Sequence, residues 1–197
     1  MPKRIRKKVK VSPPASRIFQ LRVELREVSP LVWRRLLVPS NIDLAELHVA
    51  LNETMGWTDS HLHQFVLRDR TFGDPESEED GELELEDEGK VRLEDLLGVG
   101  QSLNYEYDLG DGWQHTVKVE KAFGRDEHRS YPLCIGGARA CPPEDCGGPM
   151  GYERLLNVLE NADDEEHNDT LQWLGGFFDP EGFDVNRTNL ALRERPR

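Results

Sequence analysis

The sequence predicts an α+β fold, a single compact domain in which a largely antiparallel, hairpin-rich sheet packs against a few helices. Runs of alternating apolar and polar residues occur in pairs separated by turn residues, which is typical of β-hairpins. The helical patterns are grouped and do not alternate strictly with the strands, which disfavours a doubly wound sheet. The 197 residues match the size of one domain. We assign residues 1–16 to a basic, disordered arm and residues 17–192 to the domain.

The first predicted elements are two strands and a helix. Apolar residues alternate along the first strand, at Phe19, Leu21, Val23 and Leu25. A second run at residues 32–38 follows the Ser29-Pro30 break, so the two strands are expected to form a hairpin. Asp43 is suited to cap the following helix, with Glu46 in the capping-box position and Gly56 at its end. An apolar stripe at helical spacing predicts that this helix faces the core.

The middle of the chain predicts a further strand and a second hairpin. Residues 61–68 are expected to form a strand with His61 and His63 on one face. An acidic loop follows, with a short strand near residues 83–85 and a helical turn at residues 93–97. Two alternating runs on either side of Gly110-Asp111-Gly112 then give the strongest hairpin signal in the chain.

The last part of the sequence predicts an irregular loop followed by helices. Residues 134–149 are rich in Pro, Gly and Cys and are expected to be irregular. Pro149 is suited to the first position of a helix whose apolar residues are Tyr152, Leu155, Leu156 and Leu159. A second helix is expected at residues 165–174, and a short element after Asp184.

The charge distribution bears on partners and location. A net charge of −13 argues against a globally basic nucleic-acid-binding protein, although the arm is basic through Lys3, Arg4, Arg6, Lys7 and Lys8. This arm is either a solvated tail or a contact to nucleic-acid phosphates. The sequence has no apolar run long enough for a membrane helix and no secretory signal, so we expect no membrane association. Three cysteines with no sign of export favour free thiols in the cytoplasm.

Two segments concentrate residues capable of chemistry. The hairpin carries Tyr107, Asp108, Asp111, Trp113 and His115, and the Cys-rich loop carries Glu144, Asp145 and Cys146. Together they form the predicted site, which is suited to bind a small molecule, a peptide or a protein. The alternative is structural: the aspartates serve the turn, the histidine is half-buried, and Pro and Gly stiffen the loop. Cys146 precedes a helix start, where the helix dipole can lower a thiol pKa.

A divalent metal, zinc or manganese, is the cofactor for which the sequence has candidate ligands. These candidate ligands are His61, His63, Asp108 and His115. Histidines near aromatic residues are also common without a metal. The spacing of the cysteines does not match the paired knuckles of zinc ribbons, and the sequence has no phosphate loop, dinucleotide fingerprint, zincin motif or nucleophile elbow.

Several of these segments, taken in order, resemble one known family. They are residues 31–35 (LVWRR), Trp57 with residues 61–65, residues 105–115, residues 142–152 and residues 178–190. The chain resembles the plasmid pRiA4b ORF-3-like family, whose members are also labelled TnpR-type passenger proteins of insertion elements. The resemblance implies a compact α+β domain in bacterial mobile elements, with an uncharacterised activity. No activated serine held among arginines supports the resolvase label.

Two classes of function remain open from the sequence. The first is a binding or accessory module linked to plasmids or mobile elements, with a polar-aromatic surface site. The alternative is a metal-dependent, hydrolase-like enzyme that uses the His/Asp cluster. The position of the candidate ligands in space distinguishes the two classes.

Overall fold

The computed structural model describes residues 17–77 and 85–194. The predicted basic arm lies outside the described residues, and so does most of the predicted short strand near residues 83–85. Within the described ranges, no helix is long and apolar enough to cross a membrane.

The described residues contain one eight-stranded sheet. Its strands are β1 (Arg17–Leu25), β2 (Trp33–Pro39), β3 (His63–Leu67), β4 (Arg70–Gly73), β5 (Glu86–Asp87), β6 (Ser102–Tyr107), β7 (Trp113–Gly124) and β8 (Leu133–Ala138). The strand order is β5-β4-β3-β6-β7-β1-β2-β8. Only β4 and β5 pair in parallel, and the other neighbours are antiparallel. The predicted hairpins β1–β2 and β6–β7 are both present, and the predicted α+β fold is confirmed.

Five α-helices accompany the sheet in the described ranges. They are α1 (Leu44–Met55), α2 (Leu93–Leu96), α3 (Gly148–Glu160), α4 (His167–Trp173) and α5 (Val185–Glu194). The predicted caps of α1 are confirmed: the Asp43 side chain accepts a hydrogen bond from the Glu46 amide, and Gly56 has a left-handed φ of 87°. Burial of the α1 stripe in the same core as β1 supplies the main stabilisation, since a buried Leu contributes about 1.5–3 kcal/mol.

The starts of two elements beside the candidate site differ from the prediction. The strand β3 begins at His63 and not at residue 61, because its ladder with β6 starts at the pair His63↔Tyr107. Asp108, just beyond that pair, has a φ of 56° and turns β6 out of the ladder, so His61 has no strand partner. The helix α3 begins at Gly148, one residue before Pro149, which was predicted to be its first residue.

The segment at residues 133–138 is a strand, whereas irregular chain was predicted from residue 134 onward. It pairs with β2 at the edge of the sheet, with Gly137 opposite Arg34, and a bulge interrupts the register. Its glycines explain both the wrong prediction and the pairing. Glycine is unfavourable in most strands, but here a Cβ atom on Gly137 would lie 2.7 Å from the Phe183 ring and 2.9 Å from the Trp33 carbonyl oxygen.

This close approach predicts that Gly137→Ala lowers the free energy of unfolding by about 1–3 kcal/mol, because the added methyl overpacks the contact with Phe183 and Trp33. Gly136→Ala is the matched control, since its Cβ would meet only the Trp33 ring at 3.8 Å, an ordinary contact distance. Urea denaturation measures both variants. Equal free energies of unfolding for the two variants would contradict the packing described here.

Candidate functional site

The turn of the β6–β7 hairpin is built around Asp108. One oxygen of its carboxylate, Oδ1, accepts hydrogen bonds from the amides of Gly110 and Asp111 at 3.0 and 3.1 Å. The amide of Gly112 donates to the Asp108 carbonyl oxygen, and Gly112 has a φ of 70°. The second carboxylate oxygen, Oδ2, takes no part in these turn hydrogen bonds and lies 3.5 Å from Nδ1 of His61. The structural role proposed for Asp108 therefore leaves one of its oxygens able to bind a ligand.

The loop before α3 lies directly against this turn. The amide of Gly147 donates to Oδ2 of Asp111 at 3.2 Å. Gly148 approaches the Asp111 carbonyl so closely that a side chain would collide with it, and both glycines have a positive φ. The predicted role of Asp111 in the turn thus extends to fixing the loop. As a result, Asp145 reaches the mouth of the hairpin.

His61 lies between the two aspartates. Its Nδ1 is 3.5 Å from Asp108 Oδ2, and its Nε2 is 3.3 Å from Asp145 Oδ1. The amide of Asp108 donates to the Leu62 carbonyl oxygen at 2.8 Å, which holds the His61 segment against the hairpin. One nitrogen of His61 and one oxygen from each aspartate all lie within 4.8 Å of one another. Within the described ranges, this is the group of side chains spaced to hold a metal ion.

Glu144 forms a second polar contact beside this group. It accepts hydrogen bonds from the Tyr107 hydroxyl at 2.6 Å and from the amide and hydroxyl of Thr58 at 3.1 and 2.6 Å. Partial burial raises the pKa of Glu144, but these hydrogen bonds outweigh that effect and the pKa falls below its ordinary value. Burial, followed by the bond to Glu144, raises the pKa of Tyr107. A charged Glu144 therefore ties the loop to Thr58, next to Asp145.

His63 belongs to a different cluster. Its Nε2 lies 2.8 Å from Glu88, and its ring stacks on that of His48 with 3.3 Å between centroids. Nε2 of His48 in turn lies 2.7 Å from Asp59, and burial lowers the pKa of His48. The two histidines that were expected to share a strand face and a metal are thus separated by the bend before β3. His48 is not among the site residues predicted from the sequence, although a histidine on the apolar face of α1 is an available signal.

Trp113 and His115 lie in the core and not on a contact surface. Both are fully buried, and Trp57 packs edge-on against the imidazole of His115 at 5.4 Å. Nδ1 of His115 lies 3.3 Å from the Tyr105 carbonyl oxygen, and Nε2 has no partner among the described residues. Burial lowers the pKa of His115 to about 4, so its ring is neutral near neutral pH. The structure does not place His115 with the group around His61.

The three cysteines are free thiols. The pKa of Cys146 is raised to about 12, first by burial and then by the negative charge of Asp111. The prediction that the helix dipole lowers this pKa is therefore wrong, because burial and a nearby carboxylate outweigh the dipole. Cys141 is likewise raised to about 12 by burial.

The chain is similar to a family model and to other proteins over most of its length. A family model described as plasmid pRiA4b ORF-3-like protein matches residues 17–187. The uncharacterized protein y4hQ of Sinorhizobium fredii is 37% identical over 177 residues, which cover 89% of this chain and 90% of the relative. The crystal structure of a protein of unknown function, MM3350 from Methanosarcina mazei Go1, is 38% identical with a TM-score of 0.80, covering 87% of this chain and 97% of that one.

The buried His115 predicts a specific loss of stability in acid. Its pKa is about 4 in the folded protein, whereas an unfolded histidine titrates near 6.5, so the unfolded state binds more protons between these values. Stability is therefore present above about pH 6.5 and falls as the pH is lowered toward about 4. Between about pH 7.5 and about pH 5, wild type should lose about 2 kcal/mol more than His115→Met. Urea denaturation at both pH values measures this difference, and identical losses would show that His115 does not drive it.

Proposed function

The chain belongs to the plasmid pRiA4b ORF-3-like family, and we propose that it is a binding module whose site holds a divalent cation through His61, Asp108 and Asp145. The observation that carries the proposal is the convergence of one imidazole nitrogen and two carboxylate oxygens within 4.8 Å of one another. The three residues come from the segment before β3, the hairpin turn and the loop before α3.

The donor set suits manganese or zinc. Carboxylate oxygens are preferred by Mn²⁺, and an imidazole nitrogen is a common ligand of Zn²⁺. Two carboxylates at this separation repel each other, and a dication balances their charge. His61 now faces one aspartate with each ring nitrogen. Since only one of these nitrogens can ligate a shared ion, binding requires that His61 give up one of the two contacts.

The surroundings of the three residues support a site that is both held in place and accessible. Asp108 is only 10% exposed and is held by its turn, whereas His61 is 26% exposed and Asp145 is 74% exposed. Three protein ligands leave coordination positions for water or for a polar group of a bound molecule. The cation would thus link the domain to a ligand that carries oxygen donors.

A metal-dependent, hydrolase-like activity is the second candidate, and the same open positions favour it. A water bound to such an ion is more acidic than bulk water and is a nucleophile in many hydrolases. Glu144 is charged and adjacent, but its oxygens already accept hydrogen bonds from Tyr107 and Thr58. Because these hydrogen bonds engage both of its oxygens, Glu144 is a poor general base. A binding module is therefore favoured over an enzyme. The association with mobile elements also stays a prediction.

The cation proposal predicts that Mn²⁺ or Zn²⁺ raises the thermal stability of wild type, by about 2.7 kcal/mol at a metal concentration 100-fold above the dissociation constant. Asp145→Asn should remove this effect, because it deletes one charged ligand. Asparagine also tolerates the positive φ of 60° at this position, so the fold should be kept. Thermal unfolding with and without metal measures the shift.

The matched control is Asp163→Asn, which changes an exposed aspartate beyond the C-terminal end of α3, the helix that separates it from Asp145. It should respond to metal as wild type does. If Asp145→Asn responds as strongly as Asp163→Asn, the three-residue site is not where the ion binds, and the proposed function fails.

A further inference from the structure

Arg34 on β2 is a buried cation held by neutral groups. The residue is 3% exposed. Its Nε donates to the Thr54 carbonyl oxygen at 2.9 Å, and its Nη1 donates to the carbonyl oxygens of Trp33 and Ala138 at 2.9 and 3.0 Å. No carboxylate is among the groups that shift the pKa of Arg34, and the hydrogen bonds it makes to the described residues come from Nε and Nη1 and not from Nη2. Burial of an unpaired charge is costly, so a buried guanidinium without an anion needs an explanation.

The nearby thiols do not supply the missing charge. Cys141 and Cys134 are the groups whose charge would act on Arg34 if they ionised. Burial raises the pKa of both thiols, that of Cys141 to about 12, so both are neutral near neutral pH. The free edge of the guanidinium is therefore available to an anion from outside the chain.

Arg34 lines a cavity of about 750 Å³, a size typical of small-molecule sites. Four aromatic side chains also line it, those of Trp57, Phe177, Phe178 and Phe183. The guanidinium carbon lies 4.4 Å from the centre of the Phe183 ring, so one of its faces is covered while Nη2 remains unpaired. Phe177 is 78% exposed, so its ring is accessible from the solvent.

The charged residues of the cavity lining bear on which kind of anion can bind. The lining also contains the acidic residues Glu53, Asp179 and Asp184, and one further cation, Arg187. These acidic groups disfavour a dianion such as phosphate more strongly than a monoanion, which can pair with Arg34. Arginine presents two parallel N–H groups that match the geometry of a carboxylate.

We propose that this cavity binds a small monocarboxylate with an aromatic or apolar body, its carboxylate on Arg34 and its body among the phenylalanines. None of the three proposed cation ligands lines this cavity, so the proposal is independent of the cation site. Trp57 lines the cavity and also stacks on Tyr107 at 4.8 Å, which connects the two regions through one side chain.

Benzoate is the probe, and titration calorimetry of the full chain measures its binding. Wild type should bind one benzoate, and benzamide, which has the same shape without the charge, should bind at least about tenfold more weakly. Inorganic phosphate should bind more weakly than benzoate. Phe177→Ser should weaken benzoate by about two- to tenfold through loss of the aromatic contact. The matched control is Met150→Ser, another exposed apolar residue, which lies outside this cavity and should leave binding unchanged.

Arg34→Lys keeps the charge and loses the paired N–H geometry, so it should weaken benzoate by about tenfold. If this variant does not fold, the comparison of benzoate with benzamide still decides whether charge is required, and Phe177→Ser still decides the location. The proposal is overturned if benzoate does not bind, if benzamide binds equally well, if phosphate binds more tightly, or if Phe177→Ser behaves as Met150→Ser does.

Discussion

The close contact between the hairpin turn and the loop before α3 is the constraint on which the candidate cation site depends. Gly147 donates a hydrogen bond to Asp111, and Gly148 lies against the Asp111 carbonyl with no room for a side chain. Both glycines adopt a positive φ, which other residues rarely do at low cost. Since this contact holds the loop to the turn, Asp145 and Glu144 reach side chains that precede them by dozens of residues.

The backbone at this contact is unusual in ways that fit a functional site. Asp59, Asp108 and Asp145 all have φ values near 60°, a region that costs most residues about 1–3 kcal/mol but that aspartate tolerates better. Two of these three aspartates belong to the group around His61, and the third contacts His48. Each has a side-chain oxygen close to a histidine nitrogen. Three of the six non-glycine residues with a positive φ in the described ranges thus lie where carboxylates and imidazoles meet.

The parts of the fold that the sequence predicts well are those set by local chemistry. The β6–β7 hairpin follows from two alternating runs around Gly110-Asp111-Gly112, and α1 follows from Asp43 and Gly56 at its ends. The strand β8 was missed because its pairing depends on a distant partner, the Phe183 ring and the edge of β2, which tolerate only glycine at residue 137.

The candidate site was predictable as a set of segments but not as a set of contacts. Asp108 and Asp145 were both named as site residues, but the sequence offers no reason to place Asp145 beside His61, because Gly147 and Gly148 make that contact through the tertiary fold. Alternation puts His115 on one face with Trp113 but does not say that this face is the core. His61 and His63 are expected to share a face only if both lie in one strand. The ladder with β6 stops at Tyr107, because Asp108 turns away from it, so His61 lies outside the strand.

Paramagnetic broadening by Mn²⁺ tests whether the tertiary contact brings His61, Asp108 and Asp145 into one cation site. Substoichiometric Mn²⁺ is added to isotopically labelled protein, and the loss of NMR signal is followed residue by residue. We expect signals of residues 61, 108 and 145 and their neighbours to be lost first, whereas those around Asp163, beyond the far end of the 13-residue helix α3, persist longer. Broadening that begins in the acidic segment at residues 74–88, with residues 61, 108 and 145 unaffected, would contradict it.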